Sequence, residues 1–388
     1  MMQVMALLRS KSPADGPSSS HLTEIDEFGS NPGALRMFTY VPPGLAADCA
    51  LMVVLHGCTQ SAASYDRGAG WSTLAQRFGF ALLLPEQQRS NNPNGCFNWF
   101  QSGDIERGRG EALSIRQMVA NMVANRGIDP ARVFVTGLSA GGAMACVMLA
   151  TYPDVFAGGA IIAGLPYGAA NNVQQAFENM FQCRPRPARV WGDLVRAASS
   201  HNGAWPLISV WHGGADTTVI PRNATEILKQ WTDVHGLPAR PSFEEAVDGY
   251  PRQVWVNEMG DELIESYAIP NMAHGTPLAT GDADEQCGAA GPFLLEVGIS
   301  SSYHIAKFFG LTNDRAHSGS IQSRAAMIAA DKPHLVAANA NRRPETIERR
   351  MRGTDFRAPQ DDIPPASPLD IGAVIAKALK AAGLMKGH

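Results

Sequence analysis

The chain has 388 residues, of which 45% are hydrophobic, and its 32 basic and 36 acidic side chains give a formal net charge of -4. This weak negative charge provides no field suited to nucleic acid or anionic lipid, and no apolar run approaches the roughly 20 residues that span a bilayer. The length suits one α/β domain of about 280 residues with extensions, and the composition favours a small or neutral partner molecule.

Residues 1–30 are rich in Ser, Pro, Gly and acidic residues and have no sustained period, so they predict an N-terminal tail that ends in an opening edge strand at most. The first ten residues contain only a short apolar stretch with no basic leader ahead of it, which is a poor match to a signal peptide. We therefore expect a cytoplasmic location, with secretion as the alternative.

The next 280 residues, 31–310, alternate between strand-like and helix-like patterns. One helix is predicted over 110–126, where Ile115, Met118 and Met122 recur at helical spacing before Gly127. Short apolar runs bounded by Gly, Pro or polar turns are typical of strands buried on both faces, and they cover 50–55, 80–84, 132–135, 160–163 and 207–211. Such alternation predicts a doubly wound, mostly parallel sheet covered by helices on both sides.

Three segments depart from this alternation. Residues 168–203 follow a predicted strand and are rich in Asn, Gln, Arg and Pro, so we expect a lid over a pocket. Residues 311–366 are polar and predict a linker of low order. Residues 367–388 predict an amphipathic helix that begins at Ser367 and Pro368. That helix would dock either on its own core or on a partner.

Ser139 is the candidate nucleophile. It lies in Gly137-Leu-Ser-Ala-Gly141, which follows the β-branched run 133–135 and leads directly into a helix-like segment. In a sharp strand-to-helix turn the serine is presented at the tip, and the two glycines allow neighbouring backbone to approach closely. The same turn places the backbone N–H of Ala140 at a helix N-terminus, where it can donate to an oxyanion.

A serine nucleophile needs a base and a carboxylate that orients the base. Asp216 ends a Gly-Gly loop after the strand-like run 207–211, and His274 follows another predicted strand over 263–269. The order Ser, Asp, His is that of the α/β-hydrolases. His212 is the main rival base because it is nearer Asp216, although it precedes the loop.

The second oxyanion donor is expected after an early strand, and the N–H of Cys58 in His56-Gly57-Cys58 has that position. His56 would hold the loop rather than react. Cys58 is not expected to be a nucleophile, because no base is placed for it.

The six cysteines have no metal-ligand spacing, and neither a metal nor a cofactor is predicted. If the loops that carry Cys58 and Cys96 meet at the rim of the site, a disulfide would join them; two free thiols are the open alternative. Trp71, Trp99 and Trp211 lie near these motifs and would either line an acyl pocket or belong to the core.

The chain resembles the polyhydroxybutyrate (PHB) depolymerase family of esterases, which is related to feruloyl and acetylxylan esterases. The resemblance covers about residues 30–310 and rests on seven segments: His56-Gly-Cys-Thr-Gln, Trp71-Ser-Thr-Leu-Ala, Leu84-Pro-Glu-Gln-Gln, Asn94-Gly-Cys-Phe-Asn-Trp99, Gly137-Leu-Ser-Ala-Gly-Gly, His212-Gly-Gly-Ala-Asp and His274-Gly-Thr-Pro. It implies an α/β-hydrolase fold and ester hydrolysis through an acyl-enzyme, with Ser139 as nucleophile, Asp216 as orienting acid and His274 as base.

The leading hypothesis is a serine esterase that acts on short hydroxyalkanoate or aryl esters, either as small molecules or at polymer ends. A feruloyl or acetylxylan esterase and an acyl peptidase on the same fold are alternatives within the enzymes. The alternative from another class is a binding protein that docks on polyester granules through its terminal helix. All members of the Ser, Asp, His set are present, which favours the enzyme.

Overall fold

A ten-stranded sheet forms the centre of the computed structural model, which describes residues 21–312. Its strands in chain order are β1 (Thr23–Ile25), β2 (Arg36–Tyr40), β3 (Cys49–Leu55), β4 (Ala81–Glu86), β5 (Ile128–Leu138), β6 (Gly158–Ile162), β7 (Leu207–Gly213), β8 (Phe243–Val247), β9 (Tyr250–Val256) and β10 (Glu262–Ile269). Two short strands, β11 (Thr276–Leu278) and β12 (Leu294–Glu296), pair with each other in parallel outside this sheet.

The spatial order of the sheet is β1-β2-β4-β3-β5-β6-β7-β10-β9-β8. The six central strands from β4 to β10 are parallel, and both outer parts of the sheet are antiparallel. Every residue of β3, β6 and β7 is buried. The predicted α/β fold with a mostly parallel sheet is confirmed, because strands covered on both faces are the ones that read as continuous apolar runs.

Helices lie between the strands. They are α1 (Ala62–Ala69), α2 (Trp71–Phe78), α3 (Ser102–Ile105), α4 (Gly110–Arg126), α5 (Ala140–Thr151), α6 (Val173–Phe181), α7 (Ala188–Ala197), α8 (Arg222–His235) and α9 (Ser301–Phe308). The helix predicted over 110–126 has these same bounds, and Gly127 ends it with a φ of 63° in the left-handed region. The segment predicted as a lid contains α6 and α7.

The connections after the parallel strands bring the predicted site residues to one edge of the sheet. Ser139 directly follows β5, Asp216 lies three residues after β7, and His274 follows β10. The Gly57-Cys58 segment follows β3 in the same way. In open parallel sheets, ligands bind outside the carboxyl ends of the strands, so this edge is the expected place for a site.

The edge strands differ from the central ones. The segment expected as an N-terminal tail contributes β1, which is exposed and pairs with β2, and β8 is exposed over most of its length. The linker predicted over 311–366 lies outside the described residues except for its first two positions, and the helix predicted over 367–388 lies wholly outside them. Within residues 21–312, no helix has the length and apolarity needed to cross a membrane.

Candidate active site

Ser139 occupies a strained turn between β5 and α5. Its backbone has φ 57° and ψ -116°, a conformation that L-residues other than glycine adopt rarely. The Ser139 N–H donates to the carbonyl oxygen of Ile162 at 2.9 Å, and the Ser139 carbonyl accepts from Ala143 N–H at 2.9 Å. The neighbouring strand and the first turn of α5 therefore hold the serine at the tip of the turn.

The two glycines around Ser139 are required by close approach. A Cβ atom on Gly137 would overlap the backbone of Gly141, and one on Gly141 would overlap the carbonyl oxygens of Leu55 and His56. The turn therefore packs directly against the end of β3, where the His56-Gly57-Cys58 segment begins. The two glycines thus allow the close approach of neighbouring backbone that the sequence predicted for them.

His274 and Asp216 form a buried pair. Nδ1 of His274 donates to Oδ2 of Asp216 at 2.7 Å, while Oδ1 of Asp216 accepts from the backbone N–H groups of Thr218 (2.8 Å) and Val219 (2.9 Å). Because an ionised carboxylate only accepts, the proton of the neutral imidazole lies on Nδ1. Nε2 of His274 is then unprotonated and can act as a base.

Asp216 stays ionised in this setting. Burial alone would raise its pKa, but hydrogen bonding to His212 and His274, together with their charges, holds the pKa of Asp216 well below its usual range. The carboxylate therefore remains the acceptor for His274 Nδ1 through the neutral pH range.

His212, the rival base, has a different role. Its Nε2 lies 2.7 Å from the carbonyl oxygen of Val219 and 3.4 Å from Oδ2 of Asp216, so its proton is shared between the two acceptors, with the shorter contact to the carbonyl. Its Nδ1 is buried and has no hydrogen-bond partner among the described residues. His212 thus braces the loop that carries Asp216, whereas His274 makes the shorter contact to the carboxylate.

Ser139 and His274 line one cavity of about 330 Å³ at the carboxyl edge of the sheet. Helix α6 contributes one apolar wall through residues spaced along a single face: Val173, Ala176, Phe177 and Met180. A second part of the lining is richer in amides and comes from the loop after β4. Its lining residues include Asn91, Asn92, Pro93, Asn94, Cys96, Asn98, Trp99 and Phe100. An apolar pocket with few polar groups is typical of a site for a small organic molecule.

The two predicted oxyanion donors differ in their relation to the cavity. Cys58 lines the cavity; Ala140, which is not among the lining residues, directly follows Ser139 as the first residue of α5. Cys58 is joined to Cys96 by a disulfide with a Cα–Cα distance of 4.2 Å. Of the two open alternatives for these cysteines, the structure has the disulfide, and it joins the segment after β3 to the loop after β4.

The three candidate tryptophans have different positions. Trp99 lines the cavity and packs edge-on against Phe100, with ring centroids 5.4 Å apart. Trp71 and Trp211 are fully buried and do not line it. The indole of Trp211 stacks on Tyr267 at 3.8 Å and its Nε1 donates to Ser209, and Trp71 lies in the core at the start of α2. Of the two open alternatives, Trp71 and Trp211 therefore belong to the core rather than to the pocket, which corrects their candidate role as pocket residues.

Sequence reasoning missed the residues of α6 and Phe293 as cavity walls. The segment 168–203 was predicted as a lid, and the spacing of Val173, Ala176, Phe177 and Met180 at i, i+3, i+4 and i+7 was the signal that its first helix has one apolar face. Phe293 carried no such signal, because it lies in a loop and reaches the cavity only through the tertiary fold. Among residues 21–312, no group of three or more His, Cys, Asp or Glu side chains is arranged to hold a metal ion.

Comparison with known proteins gives a consistent set of similarities. Residues 35–242 match the family model described as Esterase PHB depolymerase. The chain is 50% identical over 291 residues to a poly(3-hydroxyalkanoate) depolymerase C of Paucimonas lemoignei, covering 75% of this chain and 70% of that protein. It is 33% identical over 302 residues to a feruloyl esterase B of Neurospora crassa, covering 75% of this chain and 93% of that protein.

A third relative, an acetylxylan esterase of Coprinopsis cinerea, is 33% identical over 272 residues, which cover 68% of this chain and 72% of that protein. Among solved structures, an acetyl xylan esterase from Aspergillus awamori superposes with a TM-score of 0.63 at 26% identity, covering 75% of this chain and 99% of the other. The family match alone, over residues 35–242, spans strands β2 to β7.

Proposed function

We propose, since the chain belongs to the PHB depolymerase family of esterases and is a carboxylic ester hydrolase, that it cleaves short-chain hydroxyalkanoate esters through an acyl-enzyme on Ser139. The observation that carries the mechanism is the 2.7 Å hydrogen bond from His274 Nδ1 to Asp216, with Ser139 and His274 on the same cavity. The substrate class is supported by the 50% identity to a poly(3-hydroxyalkanoate) depolymerase.

In the first half of the proposed reaction, Ser139 Oγ attacks the ester carbonyl carbon while its proton passes to Nε2 of His274. The resulting imidazolium is stabilised by the Asp216 carboxylate. The carbonyl oxygen becomes an oxyanion that accepts from the N–H groups of Cys58 and Ala140. When the tetrahedral intermediate collapses, the C–O bond to the alcohol breaks, and His274 Nε2 returns its proton to the leaving alkoxide.

In the second half, a water molecule takes the place of the alcohol. His274 removes a proton from that water as its oxygen attacks the acyl carbon, and the oxyanion again accepts from the same two N–H groups. Cleavage of the bond to Ser139 Oγ releases the acid, and His274 reprotonates the serine. Protons and charges are thus restored after one turnover, with one water consumed.

The test is Ser139→Ala with p-nitrophenyl butyrate as substrate. We expect kcat to fall by at least about 10³-fold while the far-ultraviolet circular dichroism spectrum is unchanged. Ser242→Ala is the matched control, because Ser242 is exposed beside the edge strand β8 and does not line the cavity. Turnover by Ser139→Ala within tenfold of the wild-type rate would sink the assignment of the nucleophile.

A second candidate is an esterase for acetylated or feruloylated esters, favoured by the relatives at 33% identity that are named acetylxylan and feruloyl esterases. A substrate panel separates the candidates: methyl esters of 3-hydroxybutyrate oligomers, methyl ferulate, acetylated xylan, and a butyryl anilide for amidase activity. A preference in kcat/KM above about tenfold, or 1.4 kcal/mol, identifies the class. Comparable rates for the anilide and its matched ester would instead favour the acyl peptidase.

Docking on polyester granules through residues 367–388 stays a prediction, because those residues lie outside the described part of the chain. We expect co-sedimentation with granules to weaken when residues 363–388 are removed. Equal binding by both forms would contradict a docking role for this helix.

A further inference from the structure

We propose that a buried relay, Glu111–Gln87–His56, positions the backbone N–H of Cys58 for the oxyanion, so that Glu111 and His56 are positioning residues in the reaction. The inference rests on the proposed function and adds to it side chains that touch neither the serine nor the substrate. Its basis is a closed set of contacts around the Gly57-Cys58 peptide, made by three residues that do not line the cavity.

The first contact fixes the peptide unit itself. Nδ1 of His56 donates to the carbonyl oxygen of Gly57 at 2.8 Å. That carbonyl and the N–H of Cys58 belong to the same peptide, which is trans, so the two groups point in opposite directions. Holding the carbonyl oxygen against the buried His56 ring therefore directs the Cys58 N–H the other way, toward the cavity that Cys58 lines.

The neighbouring amides support the assignment of Cys58 as the donor. The N–H of Gly57 donates to Oε1 of Gln60 at 2.8 Å, and the N–H of Thr59 donates to the carbonyl oxygen of Asn94 at 2.8 Å. Both flanking N–H groups are thus satisfied within the protein. No hydrogen bond found within residues 21–312 uses the Cys58 N–H, so this N–H remains for a ligand.

The second contact fixes the tautomer of His56. The backbone N–H of Gln87 donates to Nε2 of His56 at 3.1 Å, so Nε2 must be an acceptor and the ring proton must lie on Nδ1. Burial lowers the pKa of His56, which keeps the ring neutral in this arrangement. A protonated ring would present an N–H to the N–H of Gln87, and the contact would be lost.

The third set of contacts anchors Gln87. Its Nε2 donates to Oε1 of Glu111 at 2.5 Å and to the carbonyl oxygen of Cys96 at 3.1 Å, and its Oε1 accepts from Gln88 N–H at 2.9 Å. The other carboxyl oxygen of Glu111 accepts from Asn98 N–H at 2.9 Å. Glu111 thus connects Gln87 to the loop that contains Cys96. The disulfide from Cys96 to Cys58 then leads back to the Gly57-Cys58 peptide, so the set of contacts is closed.

The burial of Glu111 makes this arrangement informative. A carboxyl group without solvent contact is costly unless its oxygens are hydrogen-bonded, and Glu111 is fully buried near the start of α4. Both of its oxygens are used to hold the loop after β4. Glu111 does not itself line the cavity, which is what a positioning role requires.

The test compares variants per active serine, counted by titration with a fluorophosphonate. His56→Leu has a similar volume and removes the donor to Gly57, whereas His56→Asn is smaller but keeps an N–H near the Nδ1 position. We expect kcat per titrated site to fall about 100-fold for His56→Leu and less than tenfold for His56→Asn, with KM changed less than threefold. The Ki of a trifluoromethyl ketone should rise by the same factor as kcat/KM falls.

Glu111→Gln carries the same test with a smaller change when it is assayed at about pH 9, above the pKa of about 8 to which burial raises Glu111. There the carboxylate is ionised, and the amide turns one acceptor into a donor that faces either Gln87 or Asn98. We expect about a tenfold loss of kcat per site. Glu265→Gln is the matched control, because Glu265 is equally buried and hydrogen-bonded to Ser209 and Arg252, and none of its contacts reaches Gly57 or Cys58. If His56→Leu fails to fold, Glu111→Gln and His56→Asn decide the matter.

Unchanged kcat per site and unchanged Ki in Glu111→Gln and His56→Leu would overturn the relay, and so would an equal loss in Glu265→Gln. These results are distinguishable from a failure of the proposed function. In that case the wild-type protein itself would not be titrated by the fluorophosphonate at Ser139.

Discussion

Replacing Asp216 with Asn tests the orientation of the base, and the structure determines how the new amide must lie. Oδ1 of Asp216 accepts two backbone N–H groups, from Thr218 and Val219, whereas Oδ2 accepts from His274 Nδ1. The single oxygen of Asn must take the Oδ1 position, because an NH₂ group there would face two donors. The NH₂ group then faces His274, whose Nδ1 must accept, and the ring proton moves to Nε2.

With its proton on Nε2, His274 cannot take the proton of Ser139. We expect kcat for p-nitrophenyl butyrate to fall by about 10³ to 10⁴-fold, which corresponds to about 4 to 5.5 kcal/mol of transition-state stabilisation. KM should change little, because Asp216 does not line the cavity. Steady-state kinetics and thermal melting of the same preparations measure both effects.

Asp193→Asn is the matched control. Asp193 is exposed, and its ion pairs in the described part of the chain are with the surface residues Arg189 and Arg196. It should retain full activity. A folded Asp216→Asn protein with kcat within tenfold of wild type would refute the tautomer argument. It would indicate that another acidic residue orients His274.

Three further predictions concern stability and specificity. Burial raises the pKa of Glu111 to about 8, so the native state binds one more proton than the unfolded state between about pH 4.5 and 8. The free energy of unfolding, measured by urea titration, should therefore fall as the pH rises through this window, and Glu111→Gln should remove this dependence on pH. The disulfide joins Cys58 to Cys96, which are separated by 38 positions in the sequence. Replacing both cysteines with Ser should lower the free energy of unfolding by about 4 kcal/mol, and a difference under about 1 kcal/mol would contradict the loop-closure argument. Phe177→Ala removes part of the apolar cavity wall and should lower kcat/KM for hexanoyl esters about tenfold, while kcat/KM for acetyl esters changes less than twofold. The control variant Phe243→Ala changes a side chain that is exposed on β8, and it should alter neither value.

The central sheet was predictable because its strands are buried on both faces. The runs 50–55 and 207–211 fall within β3 and β7, and the helix over 110–126 was predicted with its observed bounds. The edge strand β8 was not predicted as an element, since it is mostly exposed and shows no apolar run. Register and pairing, rather than composition, define such strands, and these depend on the neighbouring chain.

The site was predictable where backbone chemistry constrains the sequence and unpredictable where only packing decides. The turn at Ser139 needs glycines on both sides, and this need is visible in the sequence. Trp99 and Trp211 both lie beside site motifs in the sequence, yet one lines the cavity and the other stacks on Tyr267 in the core. Glu111 gave no signal either, because an acidic residue in the first turn of a helix is ordinarily solvated.

The most direct test of the account is to label the nucleophile covalently. A fluorophosphonate, which forms a stable covalent adduct with an activated serine, is incubated with wild-type protein and with Ser139→Ala, and each sample is digested and mapped by mass spectrometry. The account predicts one adduct on the peptide that contains Ser139, with loss of ester hydrolysis in proportion to labelling and no adduct in Ser139→Ala. Hydrolysis that persists after complete labelling of Ser139, or loss of hydrolysis with the adduct on another residue, would contradict it.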